Sequence, residues 1–223
     1  MPALMFAILV LISCQTGEKK PTRSGSGTAA NGQEQSIQLK VNRFEMDLFS
    51  IPFDSVAKAV PGLEAKYGAF FDIFTNKIIN IGSSKKPEFA NYLKSFITDR
   101  YMFLTFQKVK EVYPDINTQA DELENAFIRY HEIFPEKVIP HFYTLISGYN
   151  QSVVTADSVL AISLDKYLGP DCEYYDNLGL AMYQRRVMDK AYVSTDAMRG
   201  WCYSEFMFND SAENVLTNNV VRR

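Results

Sequence analysis

The hydrophobic and polar positions divide the chain into stretches of different texture. From Ala3 to Ile12 the run ALMFAILVLI carries no charge, a length that suits a signal-peptide core and is too short to span a bilayer. Gln15 to Ser36 then holds no large apolar side chain and is rich in Gly, Ser, Thr and Gln. Such a stretch cannot bury enough surface to offset its ordering entropy, so it predicts a flexible tether, about 25 Å across by coil scaling. The alternation of Ile37, Leu39 and Val41 with polar residues marks the start of order as a strand or extended segment, and Phe44, Leu48 and Phe49 follow.

Helical spacing dominates the next hundred residues. Pro61-Gly62 predicts a break in any helix begun near Asp54, and Leu63, Tyr67, Phe70, Phe71 and Phe74 then share one face of a restarted helix. Pro87 suits a first helical position ahead of Phe89, Leu93, Phe96 and Ile97. A second helix over Asp99–Tyr113 ends before Pro114. Thr118 and Asp121 form a start signal for a third, with Leu123, Ala126, Phe127, Tyr130, Ile133 and Phe134 on its apolar face and Pro135 as its stop. After Pro140 the texture becomes β-branched and aromatic. His141–Ser147 predicts a strand, Gly148-Tyr149-Asn150 a turn, and Val159–Leu164 a second strand. Helical texture returns over Tyr174–Val187, and Ser194 or Thr195 can cap a last helix toward Phe206. The expected class is α+β, predominantly α-helical with a small central sheet.

Composition narrows the function classes. The 223 residues are 47% apolar and 22% charged with a net charge of −3, so they hold a sizeable core but no basic excess for a nucleic-acid partner. Two histidines and three cysteines leave little material for metal or nucleophilic chemistry, and no cofactor is implied. His131-Glu132 begins a His-Glu-x-x-His pattern, but position 135 is Pro, which fails as a ligand and ends the helix; His131 reads as a surface or cap residue, and His141 is out of register with it. Gly82-Ser83-Ser84-Lys85 lacks the second glycine of a phosphate-cradling loop and reads as a connection. Asp47, Asp157 and Asp165 sit beside aromatic or apolar residues, where capping and turn roles outweigh acid–base work. Phe70, Phe71, Phe96, Phe103 and Phe106 read as core, and a pocket near Tyr143, Tyr149 and Tyr167 would be the mark of a solute-binding protein.

Leu11-Ile12-Ser13-Cys14 resembles a bacterial lipobox, in which the cysteine is lipidated and becomes the new N-terminus, although no Lys or Arg precedes Leu4. On that reading residues 1–13 are a lipoprotein signal peptide, 14–36 the lipidated cysteine and tether, and 37–223 the globular domain. A fortuitous apolar N-terminus is the alternative. Cys172 and Cys202 then remain. They can form a disulfide, closing a loop of about 30 residues worth roughly 3 kcal/mol, or stand as two buried thiols; sequence leaves both open.

FPEKVIPHFYTLISGYNQS (from Phe134) and ADSVLAISLDKYLG (ending at Gly169), with RFEMDLF at Arg43–Phe49 and the lipobox, resemble the gliding-motility lipoproteins of the GldB type over most of residues 37–210. The pieces that carry the resemblance include Ser147, Gly148, Asn150, Asp165, Tyr167 and Gly169. It implies a non-enzymatic envelope lipoprotein, periplasmic or surface-facing, bound to the membrane by its lipid and acting on envelope proteins of unknown identity. The family is similar in turn to zincin-like peptidases whose active-site helix follows the small sheet. The lipoproteins generally lack its paired histidines, which implies a degenerate zincin-like scaffold; a zincin-like hydrolase or its inactive remnant is the competing expectation. Relatives continue past the stretch resembling Glu205–Leu216 into a helix bearing Tyr-Glu-Gly-Lys. One added nucleotide before a Met-Trp-Tyr-Glu-Gly codon run can yield the Asn219–Arg223 sequence, so a truncated domain with a frameshifted tail is expected.

Overall fold

The structure is a computed structural model and describes residues 37–206. The lipobox, Cys14, the tether and Asn219–Arg223 lie outside these residues.

Four strands form one mixed sheet in the order β1 (Val41–Arg43), β2 (His141–Leu145), β4 (Val159–Ser163), β3 (Val153–Ala156). β1 runs parallel to β2 with Val41 opposite Phe142, and β2 runs parallel to β4 with Phe142 opposite Leu160. β3 returns antiparallel to β4, the pair closed by Asp157 and Ser158. Parallel strands need both faces covered, and the unbroken apolar run of β4 reflects this: all five of its residues are buried.

Between β1 and β2 come α1 (Phe44–Phe49), α2 (Val56–Tyr67), α3 (Ala69–Ile73), α4 (Phe89–Thr98), α5 (Arg100–Val112) and α6 (Asn117–Ile133). After β4 follow two 3-10 segments, Leu164–Lys166 and Glu173–Leu178, then α7 (Met182–Arg185), a short 3-10 turn and α8 (Val193–Glu205). Helices thus dominate an α+β fold around a small central sheet, as the periodicity predicts. The side-chain alternation of the strands divides two cores. Phe142, Leu160 and Ile162 face Phe106, Val109, Leu123, Phe127 and Trp201 of α5, α6 and α8. Leu145 and Ala161 face Phe44, Leu48, Phe71 and Leu93 of α1 to α4, with Phe74 just after α3.

The α5 and α6 expectations hold closely, with a shift of capping chemistry, and α4 forms as expected except that Pro87 lies in the turn before it and the helix begins at Phe89. Asp99 caps α5 by accepting from Tyr101 N and Met102 N, and Asp115 rather than Thr118 starts α6, accepting from Asn117 N at 3.1 Å. Four local expectations are overturned. Pro61 lies inside α2 instead of ending a helix, because burial of Val56, Val60, Leu63 and Tyr67 offsets one missing hydrogen bond. The helix expected over Leu63–Phe74 is broken at Gly68, where φ is +50° and ψ −126°, and it continues past α3 as a π-helical turn over Phe74–Ile78. The apolar face was nonetheless legible: Leu63, Tyr67, Phe70, Phe71 and Phe74 are all buried. Over Tyr174–Val187 the continuous helix is replaced by 3-10 turns and the four-residue α7. Phe103 is 48% exposed rather than core, since α5 turns Phe106 and Val109 inward.

Candidate functional site

The loop between β2 and β3 carries the most unusual backbone in the fold. Gly148 and Tyr149 occupy successive positive-φ positions, +70° and +65°. Glycine takes that conformation freely, but tyrosine does so only when its surroundings enforce it. The enforcement comes from Asp165, fully buried just after β4. Its Oδ1 accepts the Ser147 N–H at 3.2 Å and its Oδ2 the Tyr149 N–H at 2.6 Å. The Ser147 hydroxyl lies 3.3 Å from Oδ2 and 3.1 Å from the Gln151 carbonyl, and it accepts the Gln151 N–H at 3.3 Å. Asn150 closes the loop by donating to the Ser147 carbonyl at 3.1 Å, and Lys166 Nζ reaches the Tyr149 carbonyl at 3.4 Å. Burial pushes the Asp165 carboxyl up to about 6, against the opposing pull of the Tyr149 and Ser147 N–H groups.

The Leu164–Gly169 segment is fixed just as tightly. Tyr175 OH accepts the Leu168 N–H at 2.8 Å and donates to the Asp165 carbonyl at 3.0 Å. Tyr113 OH donates to the Tyr167 carbonyl at 2.6 Å, while Tyr167 OH donates to Asp196 Oδ2 at 3.0 Å. Gly169, at φ +101°, donates its N–H to the Met188 carbonyl at 2.9 Å. Ser147, Gly148, Asn150 and Asp165 therefore meet in one hydrogen-bonded unit, with Tyr167 and Gly169 flanking it.

Tyr149, held by this unit, stands in the wall of a pocket of about 330 Å³. Tyr101, Met102 and Thr105 of α5 line it, with Tyr149 from the loop and Tyr174, Asn177 and Leu178 from the second 3-10 segment. Tyr149 OH and Thr105 Oγ1 are hydrogen-bonded at 2.7 Å, and burial raises the tyrosine's pKa. Gly148 allows the close approach: an added Cβ would lie 3.4 Å from Met102 Sδ. Of the three tyrosines expected to share a pocket, only Tyr149 lines this one. Tyr143 stacks on Phe70 across the opposite face of the sheet, with centroids 4.1 Å apart, and Tyr167 is turned to Asp196. Periodicity carries no sign of the α5 residues in the wall beyond the Tyr101–Thr105 spacing of four.

The remaining sequence-derived residues are dispersed. Asp47 binds Lys66 and Tyr67 at the surface, Asp157 sits in the β3–β4 turn at φ +38°, and neither approaches the hydrogen bonds made by Asp165. His141 is exposed at the start of β2; His131 is half-buried in the last turn of α6 with its Nδ1 shielded from solvent. No group of three His, Cys, Asp or Glu that could hold a metal occurs among the described residues. Cys172 and Cys202 are free thiols, one buried and one half-buried, so the disulfide alternative is not realised in this structure. Glu45 is a buried acid that periodicity did not single out. It accepts from Thr144 Oγ1 at 2.7 Å and from Arg43 Nε at 2.8 Å, and burial raises its pKa against the pull of Arg43. Its signal lay in the charge pair bracketing Phe44 in Arg43-Phe44-Glu45.

A small mixed sheet between helices, with buried Asp165 holding loop backbone and buried Glu45 holding side chains, defines a framework that displays a loop and a pocket. The family described as gliding motility protein GldB matches residues 26–222, and the chain belongs to it. That membership links the chain to gliding motility. No curated protein and no solved structure matches the chain.

Proposed function

We propose that the chain is a non-enzymatic, membrane-anchored envelope lipoprotein of the gliding-motility type, held to the bilayer by lipid on Cys14 and acting through contacts with other envelope proteins. The observation that carries the contact-making role is the Asp165 loop. Both carboxylate oxygens are engaged by Ser147 and Tyr149 N–H groups, so the most distinctive acid in the fold serves to shape a displayed surface. The Leu11-Ile12-Ser13-Cys14 pattern and the family's lipoprotein character support the location, and a lipid anchor of two acyl chains gives stable membrane attachment.

Metabolic labelling with a palmitate analogue tests the anchor. Wild type is expected to take up label and sediment with membranes, and Cys14→Ala to lose both. An unlabelled, soluble wild type would overturn it.

A further inference from the structure

The pocket beside Tyr149 has a chemistry that names its occupant. Its walls are three tyrosine rings, Met102 and Leu178, with Asn177 the one amide and no charged side chain in the lining. Anionic or cationic ligands find no counter-charge inside it. At about 330 Å³ it sits at the small end of ligand pockets and takes one or two side chains rather than a whole helix face.

Three polar tips nevertheless stand available at the wall. The Tyr101 and Tyr174 hydroxyls and the Asn177 amide make no hydrogen bond within the described residues. They can donate to carbonyls that a ligand leaves unpaired. A helix satisfies its own carbonyls, whereas a polyproline II segment has none bonded internally and presents rigid apolar rings at little entropic cost. The charges around Tyr174 add a sign: Lys108 is paired with Glu111 at 2.8 Å, while Glu173 is exposed and pairs with no described cation, so the uncompensated charge is negative and complements a basic residue flanking the ring-bearing segment. We infer that this pocket binds a proline-rich extended segment of a partner protein carrying a flanking Arg or Lys. The inference rests on the reading of the chain as a contact-making envelope protein and names the chemistry of that contact.

The test uses the full chain in detergent micelles and two fluorescein-labelled probes, decaproline and the same peptide with an N-terminal arginine, followed by anisotropy. Both are expected to bind saturably, and a glycine–serine peptide of equal length is not. Asn177→Ala should weaken binding about 3- to 10-fold, the worth of one net hydrogen bond, and Tyr174→Ala about tenfold or more. Glu173→Lys should weaken only the arginine-bearing probe. Unchanged urea midpoints would show that these variants fold. Equal binding of the glycine–serine control, indifference to all three substitutions, or binding of a neutral oligosaccharide in place of the peptides would overturn the inference. Palmitate labelling is read on the same protein: a labelled chain that binds no proline peptide sinks the pocket alone, and an unlabelled chain that binds it sinks the anchor alone.

Discussion

Asp165 sets the terms at the scale of single residues. Its carboxyl is pushed up from 3.8 to about 6 by burial, so between those values the native state holds a proton that the unfolded chain has released. Stability should therefore rise as pH falls from about 6 toward 4, by at most about 3 kcal/mol, because each tenfold difference in proton affinity is worth about 1.4 kcal/mol. Glu45, also raised by burial, acts in the same sense. Urea midpoints at pH 7, 6 and 5 measure the slope, and Asp165→Asn should flatten it; an undiminished slope in that variant would assign the effect elsewhere. Asp165→Ala removes the acceptor of two N–H groups in a closed site and should cost about 2–5 kcal/mol. The motif residues were visible in sequence as a resemblance, but their joint role was not. Ser147 and Asp165 are eighteen positions apart, and nothing local to either one shows that the carboxylate bridges them.

At the scale of elements, close approach decides what can change. Gly200 lets α8 lie against β3, where an added Cβ would fall 2.5 Å from Val153 Cγ1. Gly200→Ala gains about 1 kcal/mol of helix propensity and loses about 1–3 kcal/mol to overpacking, so a net fall in urea midpoint is expected. Val153→Ala should relieve it, making the double variant less destabilised than the sum of the singles; strict additivity would show that the contact carries no strain. Helices such as α4, α5 and α6 were legible because their apolar positions repeat at helical spacing between clear start and stop residues. The β3 strand was not, since four half-buried residues give too short an alternation to register. The break at Gly68 and the π-helical turn were hidden for a different reason: interruption of a helix leaves its apolar stripe almost in phase, and Phe70, Phe71 and Phe74 are buried in either arrangement.

At the scale of the whole molecule, the sheet makes one unit of two cores. β4 gives Leu160 and Ile162 to one side and Val159 and Ala161 to the other, so neither core can dissolve while leaving the other its strand. Phe44 anchors the far side, with four aromatic rings between 4.7 and 6.2 Å from its own, and Trp201 is buried on the near side against Phe127. The chain's single tryptophan therefore reports on one core, while far-UV circular dichroism averages over both. If the sheet couples them, urea transitions followed by the two signals should coincide, as for a two-state domain. Phe71→Leu, placed in the core away from Trp201, should lower the midpoint, and it should shift the tryptophan transition as far as the dichroism transition. A tryptophan transition that stays in place while the dichroism transition moves would mean that the strands do not transmit the loss, and that the fold comprises two separately melting halves.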